Sequence, residues 1–462
     1  MKTKSEKKTD LGNDPVGKLL FKLAVPAITA QIVNVLYNLV DRMYIGHIPE
    51  IGATALTGVG VAFPLIMVVS AFAALMAMGG ATKAAIMLGR KDHETAEKIL
   101  GNCTTGTFVA GIALTIILLL FGEDLLMMFG ASENTIGYAW SYLQIYALGT
   151  LFVEIALGLN YFISSQGFAN ISMMSVVIGA IINIVLDPIL IFIFHMGVQG
   201  AALATILSQA VSAIWVMAFL LGKKTNLKIR KKYLKIEPAL FASCLALGMS
   251  PFIMQATESA ISVCFNSSLL KYGGDLAVGA MTILSSVMQF SMLPLQGLTQ
   301  GSQPIVSFNY GAGNIDRVKK AFFLLLKLSI AYSCLLWAIA MFAPQLFISI
   351  FTSDAALSDY TEWAIRIYMA MSLIFGIQIA CQQTFIALGN AKISLFLAVL
   401  RKIILLIPLI FILPVFFQDK VFAVFLAEPV ADTIAVLSTA TMFTIEFRRI
   451  LKQYNNGIPS NN

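Results

Sequence analysis

Apolar residues along this chain form twelve long runs, separated by short polar or charged segments. Each run is roughly 20 residues long, the length at which an α-helix crosses the hydrocarbon core of a bilayer. The runs begin near residues 17, 52, 94, 133, 171, 198, 240, 276, 318, 360, 393 and 421. Strands of a membrane barrel would alternate apolar and polar residues, whereas residues 403–417 are continuously apolar and residues 112–121 are apolar except for Thr115. The pattern predicts an all-α integral membrane protein with twelve transmembrane helices.

The composition agrees with a membrane environment. Hydrophobic residues make up 58% of the 462 positions and charged residues 12%, whereas soluble globular proteins are about 25% charged. The net charge of +7 does not indicate nucleic-acid binding, because the basic residues lie between the apolar runs and form neither one patch nor a known motif. We therefore expect the lipid bilayer, and no nucleic acid, as a partner.

Lysine and arginine predict the orientation, because positively charged loops are retained on the cytoplasmic side. The basic segments are residues 1–22, 90–98, 223–235, 317–320 and 448–452, and the loops between them are mostly acidic. Both termini are therefore expected in the cytoplasm, with the chain crossing the plasma membrane several times. The predicted organisation is a cytoplasmic segment (1–16), a first lobe (17–222), a basic loop (223–236), a second lobe (237–448) and a cytoplasmic tail (449–462).

The two halves resemble each other in sequence. Matching residues occur in the same order at slowly falling offsets of 225, 222 and 220, and examples are Pro26 with Pro251, Gly89 with Gly311, and Asn170 with Asn390. Because each half has an even number of predicted helices, both halves enter the membrane from the same side, as in transporters built from parallel repeats. The sequence predicts two parallel six-helix repeats that enclose a central path.

Two acidic residues lie within apolar runs of the first half. A charge at the bilayer centre costs about 2.5 to 3.5 kcal/mol on insertion scales, so such a residue is a functional candidate. Asp41 shares a helical face with Asn34 and Asn38, and Asp187 shares one with Asn183. Carboxylate and amide oxygens suit Na⁺, and two close carboxylates can share a proton. The alternative is structural: Asp187 caps a broken helix and Asp41 pairs with Arg42.

The polar residues of the other runs leave more than one interpretation open. Glu154, Asn160 and Thr205 could add oxygens to the first-half site. In the second half the equivalents of Asp41 and Asp187 are Asn266 and Ile407, so the acidic pair has no counterpart there. The candidate substrate contacts in that half are Gln255, Glu258, Met281, Met288, Met292 and Gln382, while structural roles for Glu258 and the methionines remain open, as they do for Glu428 and Asp432. Glu362 and Arg366 are expected to form an interfacial ion pair.

The sequence contains none of the motifs that would indicate an enzyme. No GxxxxGK[ST], HExxH or GxSxG motif is present, and the five cysteines have neither CxxC spacing nor a histidine partner. We expect no catalytic residue and no cofactor. An ion gradient, of Na⁺ or H⁺, remains as the source of free energy for transport.

Four segments resemble the multidrug and toxic compound extrusion (MATE) family: VPAITAQIVNVLYNLVDRMYIG, NIVLDPI, GVQGAALAT and PLQGLTQGSQPIVSFNYGAGN. The resemblance implies two V-shaped lobes that export cationic, amphipathic compounds in exchange for Na⁺ or H⁺ by alternating access. It also implies a cation site formed by Asp41, Asn160, Asn183, Asp187 and Thr205. The polar residues of the same runs add Asn34, Asn38 and Glu154 as supporting groups, and Na⁺ is possible at Asp41 and Asp187. Another branch uses acids in its seventh and tenth helices, and only Glu258 matches those.

A lipid-linked glycan flippase of a related fold is the alternative function. Such a protein would need a basic cavity for pyrophosphate, and the runs offer few bases beyond Lys83, Arg366, Arg401 and Lys402. Multidrug export is therefore the leading hypothesis, with organic cations and drugs as substrates. One chain already contains both lobes, so a monomer is sufficient.

Overall fold

The computed structural model describes residues 9–455, which fold into α-helices joined by short loops. Six membrane-crossing elements precede the basic loop. They are α1 (Val16–Gly46), α2 (Gly52–Gly89), α3 (His93–Met128), α4 (Ile136–Leu148 and Thr150–Ser165, bent by 61°), α5 (Ala169–Ile193) and α6 (Gly197–Leu221). The basic loop itself carries one short helical turn, Lys231–Tyr233.

The second half begins with a hydrogen-bonded stretch of 74 residues, Pro238–Gly311, whose backbone is interrupted at Gly274 (φ 66°, ψ −162°). At 1.5 Å per residue an unbroken helix would be about 110 Å long, several times the thickness of a bilayer core. The stretch is therefore two elements, α7 (238–273) and α8 (275–311). The remaining elements are α9 (Ile315–Phe342), α10 (Ala355–Tyr368 and Ser372–Ala387, bent by 51°), α11 (Ala391–Phe416) and α12 (Lys420–Asn455), with a short helix at Gln345–Ile348 between α9 and α10.

The all-α fold and the number of crossings are as predicted from the apolar runs. Most elements begin within a few residues of the expected position. The largest difference is at α10, which begins at Ala355 and not near residue 360, because the side chain of Asp354 caps its first turn by accepting a hydrogen bond from the Leu357 amide (2.7 Å). Large apolar side chains at the periphery, such as Leu120, Val415 and Phe416, are exposed, as expected for surfaces that face lipid.

Three of the elements contain a segment of π-helix, in which hydrogen bonds span five residues in place of four. These segments are Ile155–Leu159 in α4, Ile189–Ile193 in α5 and Leu400–Leu406 in α11. Each one lies beside or includes buried polar residues, and such segments are frequent at functional sites. They therefore direct attention to the same places as the intramembrane charges.

The two halves meet most closely where α2 packs against α7 and α8. A Cβ atom placed on Gly89 would lie 2.0 Å from the carbonyl oxygen of Phe308, and one on Gly311 would lie 1.9 Å from that of Ile86. Gly89 and Gly311 are equivalent positions in the repeat, so each half contributes the same residue to the contact. Only glycine allows the two backbones to approach this closely.

Gly89→Ala is expected to destabilise the contact between the halves, at about 1 to 3 kcal/mol for an overpacked site. Thermal unfolding of the purified protein in lipid nanodiscs measures the effect. Gly60→Ala is the matched control, because a Cβ on Gly60 of the same helix has no neighbouring atom within 4 Å. Equal melting temperatures for the two variants would contradict the close packing.

The segment before α1 connects the two halves at one end of the bundle. The carbonyl oxygen of Leu11 accepts hydrogen bonds from the side chains of Asn309 (2.9 Å) and Arg317 (3.1 Å), and the Leu11 side chain is buried and packs against the loop at Gly167. Asp10 closes a turn by accepting from the side-chain amide of Asn13 (2.8 Å), which lowers the pKa of the Asp10 carboxyl. The segment therefore contacts the first half at Gly167 and the second half at α8 and α9.

Candidate functional site

The first half contains a buried polar cluster formed by α1, α5 and α6. Asp41 on α1 is 7% exposed, and Asn183 and Asp187 on α5 are fully buried. The side-chain nitrogen of Asn183 lies 3.3 Å from Asp187 Oδ1 and 3.5 Å from the hydroxyl of Thr205 on α6. The carboxylates of Asp41 and Asp187 are near enough to interact electrostatically. The structure thus brings these four residues together.

Local backbone features place the α5 residues beside α6. Asn183 and Asp187 are four apart and therefore share one helical face. Immediately after Asp187, Pro188 has no amide hydrogen to donate, and the chain continues as the π-helical segment. Gly200 on α6 lies against this segment, where a Cβ would be 2.8 Å from the carbonyl carbon of Leu190. The absence of a side chain at Gly200 allows Thr205 to approach Asn183.

Several oxygen atoms of this region have no hydrogen-bond donor within residues 9–455. They are Asp41 Oδ1, Asn160 Oδ1, Asn183 Oδ1, Asp187 Oδ2 and both carboxylate oxygens of Glu154. A buried acceptor without a donor costs about 1 to 3 kcal/mol, and more when it is charged. In native proteins such groups indicate a water, an ion or a functional role. The donor set of carboxylate, amide and hydroxyl oxygens fits Na⁺ or H⁺.

Glu154 and Asn160 lie at the two ends of the π-helical segment in α4. Glu154 is fully buried, and the amide nitrogen of Asn160 donates to the carbonyl of Ser172 (3.2 Å). Asn160 also lines a cavity of about 120 Å³, with polar and apolar walls, together with Asn34, Tyr37 and Gln209, among other residues. Asn38 donates to the backbone carbonyl of Asn34 (2.6 Å). Asn34 and Asn160 therefore contact the cavity, whereas the amide of Asn38 is used within its own helix.

The structural alternative for the two acids does not agree with the geometry. The guanidinium of Arg42 lies over the ring of Phe63, 4.5 Å from its centroid, and in the described chain it has no carboxylate within ion-pair distance. Asp187 accepts from the side chain of Asn183, and its carboxylate caps no helix start. Neither Asp41 nor Asp187 thus forms an ion pair with a base of the described chain.

The second half contains a group of charged residues whose pairing the sequence did not predict. Lys402 on α11 donates to Glu258 on α7 (2.6 Å), and Arg401 donates to both Glu428 (2.8 Å) and Asp432 (2.7 Å) on α12. Arg401 and Lys402 lie in the π-helical segment of α11. The signal in the sequence was an adjacent Arg and Lys within an apolar run, with two acids four apart in the next run.

The predicted substrate contacts of the second half are not grouped into one site. Met281 is 4% exposed and packs in the apolar core, so in this conformation it has no surface for a substrate. Gln382 accepts a hydrogen bond from Gln378 (3.1 Å) and contacts the sulfur of Met254. Met288, Met292 and Gln255 are partly buried. Glu258 is the most accessible of these residues, with 65% of its side chain exposed, although it is paired with Lys402.

The other polar predictions have clear positions. Arg366 and Glu362 form the expected exposed ion pair on α10 (2.7 Å). All five cysteines are unpaired, as expected for small apolar residues. The described chain contains no group of three or more His, Cys, Asp and Glu side chains that could hold a metal ion.

Comparison with known proteins identifies the family of this chain. The family model described as MatE matches the chain twice, over residues 26–189 and 251–412. The chain belongs to the MATE family. The two matches begin at Pro26 and Pro251, the same pair that aligns the halves of the sequence, which confirms the internal repeat of this MATE protein.

Named relatives extend over nearly the whole length. The chain is 25% identical over 425 residues to a protein of Staphylococcus haemolyticus named Multidrug export protein MepA, covering 91% of this chain and 92% of that one. It is 24% identical over 427 residues to the protein of the same name from Staphylococcus aureus strain N315, covering 92% and 93%. Both relatives carry a name for multidrug export.

Solved structures agree with the fold. One described as the outward-facing conformation of a multidrug resistance MATE family transporter of the MOP superfamily has a TM-score of 0.88 at 24% identity, covering 96% of this chain and 99% of that one. Another, described as MATE in the bent conformation, has a TM-score of 0.90 at 22% identity, covering 97% and 100%. The twelve-helix architecture of this chain is that of MATE transporters.

Proposed function

We propose that this MATE protein is a secondary active antiporter that exports cationic, amphipathic compounds in exchange for Na⁺ or H⁺. The observation that carries the proposal is the buried pair of carboxylates, Asp41 and Asp187, with acceptor oxygens that no group of the described chain satisfies. A protein that needed these acids only for folding would have paired them with a base. These two are instead arranged to receive a cation.

The chemistry of the site supports exchange. Two carboxylates close together are stabilised when one proton or one Na⁺ binds between them, because it offsets their mutual repulsion. The amide oxygen of Asn183, which has no donor in the described chain, and the hydroxyl of Thr205 are further oxygens in the same cluster. When the cation leaves toward the cytoplasm, the pair regains its negative charge. The site can therefore bind a cation on one side of the membrane and release it on the other as the two lobes rock.

The substrate class follows from the relatives and from charge. The two MepA relatives are named as multidrug export proteins, which favours several chemically different small molecules over one metabolite. The exposed carboxylate of Glu258 gives a cationic compound a point of attachment.

We further propose that the protein lies in the cell membrane with both termini in the cytoplasm, acts as a monomer and catalyses no chemical reaction.

A lipid-linked glycan flippase is less well supported by the charges. Of the four candidate bases, Arg366 pairs with Glu362, Arg401 with Glu428 and Asp432, and Lys402 with Glu258. These arginines and lysine are therefore neutralised by carboxylates of the protein. A cavity for pyrophosphate would need unpaired positive charge, and Lys83 alone would be too little.

Transport of ethidium in proteoliposomes tests the proposed function. The purified protein is reconstituted, and an inward Na⁺ gradient and an inward proton gradient are imposed in separate experiments. We expect ethidium export to follow one gradient and to stop when that gradient is collapsed by an ionophore. If ethidium moves at the same rate with the Na⁺ gradient, with the proton gradient and without any gradient, antiport is contradicted.

A further inference from the structure

The charged group of the second half is unbalanced. It consists of three carboxylates, Glu258, Glu428 and Asp432, and two bases, Arg401 and Lys402, joined by contacts of 2.6 to 2.8 Å. Lys402 neutralises Glu258. Arg401, with its single positive charge, lies between Glu428 and Asp432 and can neutralise only one of them. One negative charge is left over.

The excess charge lies where it is costly. Glu428 is 4% exposed and Asp432 is 3% exposed, and Arg401 is 8% exposed. The free energy of an uncompensated charge in such a site is high, since the desolvation penalty of an ion is several kcal/mol. Two carboxylates that share one site relieve the penalty when one of them is protonated. The geometry therefore favours a proton on this pair.

The neighbouring groups do not supply a further positive charge. The side chains that face the Glu428–Asp432 pair from the other helices are Glu258, Tyr368, Arg401 and Lys402, and the second face of Arg401 is covered by the ring of Phe375, 4.8 Å away. The positive charges of Arg401 and Lys402 are already included in the balance of three carboxylates and two bases, and Tyr368 is neutral at ordinary pH. A proton, which needs no coordination shell, fits beside a guanidinium better than a metal cation does.

A second observation points to an occupant in the same place. Arg401 and Lys402 line a small cavity of about 30 Å³ together with Gln378 of α10. Gln378 is 2% exposed, and its side-chain oxygen has no donor in residues 9–455. A cavity of this size accommodates one water molecule. Such a water would lie next to Arg401, the base that contacts both acids of the pair.

We propose that the Glu428–Asp432 pair is a second proton site of this protein, and that its proton is released when an organic cation binds at Glu258. Arg401 and Lys402 are adjacent and connect the pair to Glu258. An organic cation at Glu258 displaces Lys402 and adds one positive charge to the group. The carboxylic O–H bond then breaks, its electrons stay on the carboxylate oxygen, and the proton passes to water. The release step depends on the proposed export of cations, whereas the proton site itself does not.

Infrared spectroscopy tests for the proton directly. Full-length protein in lipid nanodiscs carries Asp41→Asn, Asp187→Asn and Glu154→Gln, so that the buried acids of the first-half site contribute no signal. We expect this protein to show the carbonyl stretch of a protonated carboxylic acid at neutral pH. We expect the band to be lost when either Glu428→Gln or Asp432→Asn is added. Each of these variants leaves two carboxylates and two bases, so the group is balanced and the fold is retained. Glu362→Gln, in an exposed ion pair, is the matched control and should leave the band unchanged.

The outcomes are distinct. If the band is unchanged in both Glu428→Gln and Asp432→Asn, the pair holds no proton and the proposal is overturned. If the band is lost, tetraphenylphosphonium is added to the protein in weak buffer that contains a pH dye. The protein in which only the first-half acids are substituted is expected to release about one proton per chain. The same protein with Glu428→Gln is expected to release none. Binding of tetraphenylphosphonium without proton release overturns the coupling. A band that is lost as expected, with no binding even by wild-type protein, supports the proton site while contradicting the proposed function.

Discussion

Gradient-driven ethidium export is expected to fall to background when Asp41 is replaced by asparagine, and Asp187→Asn is expected to have the same effect. Each change keeps the size and polarity of the side chain but removes the negative charge that would hold the coupling cation. Losing a charged interaction of about 3 kcal/mol corresponds to roughly a 100-fold loss of cation affinity. The measurement is the initial rate of ethidium export in proteoliposomes containing equal amounts of protein.

The control for these variants is Asp124→Asn, which removes an exposed acid from the end of α3 in the same half. It should export ethidium at the wild-type rate, which excludes an effect of net charge alone. Thermal unfolding of all three variants shows whether the fold is intact. Wild-type export by both Asp41→Asn and Asp187→Asn would place the coupling site elsewhere in the molecule.

Arg401→Gln is expected to cause the largest loss of stability of any single change considered. The substitution leaves Glu428 and Asp432 buried without the base that contacts both of them, and breaking a buried ion pair from one side typically costs about 3 to 5 kcal/mol. The expected result is a strong fall in melting temperature and in the yield of folded protein. Protonation of both acids at low pH should restore part of the stability, because it removes the repulsion between them.

Arg366→Gln provides the comparison for this prediction. It removes an arginine from another ion pair in the same half, but the side chains of Arg366 and Glu362 are 49% and 31% exposed. Surface ion pairs contribute about 0 to 1 kcal/mol, so the melting temperature should change little. If Arg401→Gln were as mild as Arg366→Gln, the charged group of the second half would be hydrated and not buried.

The sequence predicted the helices well because the bilayer imposes their length and their apolar character. The polar faces were also predictable, since Asn183 and Asp187 are four residues apart and helix geometry alone places them together. Helical spacing says nothing, however, about distances between helices. The pairing of Glu258 with Lys402 joins residues separated by 144 positions, and only the packing of α7 against α11 determines it.

The predictions for methionine show the same limit. Met281 occupies a position in α8 that a helical pattern cannot distinguish from a surface position, because both the core-facing and the lipid-facing sides of a membrane helix are apolar. Its burial in the core depends on which neighbour covers that face. Helical spacing was therefore enough to group Asn183 with Asp187, as the structure has them, whereas it could not show which methionines are buried in the core.

The π-helical segment of α4 also bears on how the two halves diverged after duplication. A π turn contains one residue more than an α turn. A single residue inserted into an α-helix can therefore be accommodated as a π turn, and the residues on either side keep their helical faces. In the second half the equivalent stretch, Ser372–Ala387, is ordinary α-helix. The offset between the halves falls by two residues from the Gly89–Gly311 match to the Asn170–Asn390 match, and the π-helical segment Ile155–Leu159 lies within this interval. The segment separates Glu154 from Asn160, so a local difference in helix geometry, and not residue identity alone, distinguishes the first-half site from the equivalent stretch of the second half.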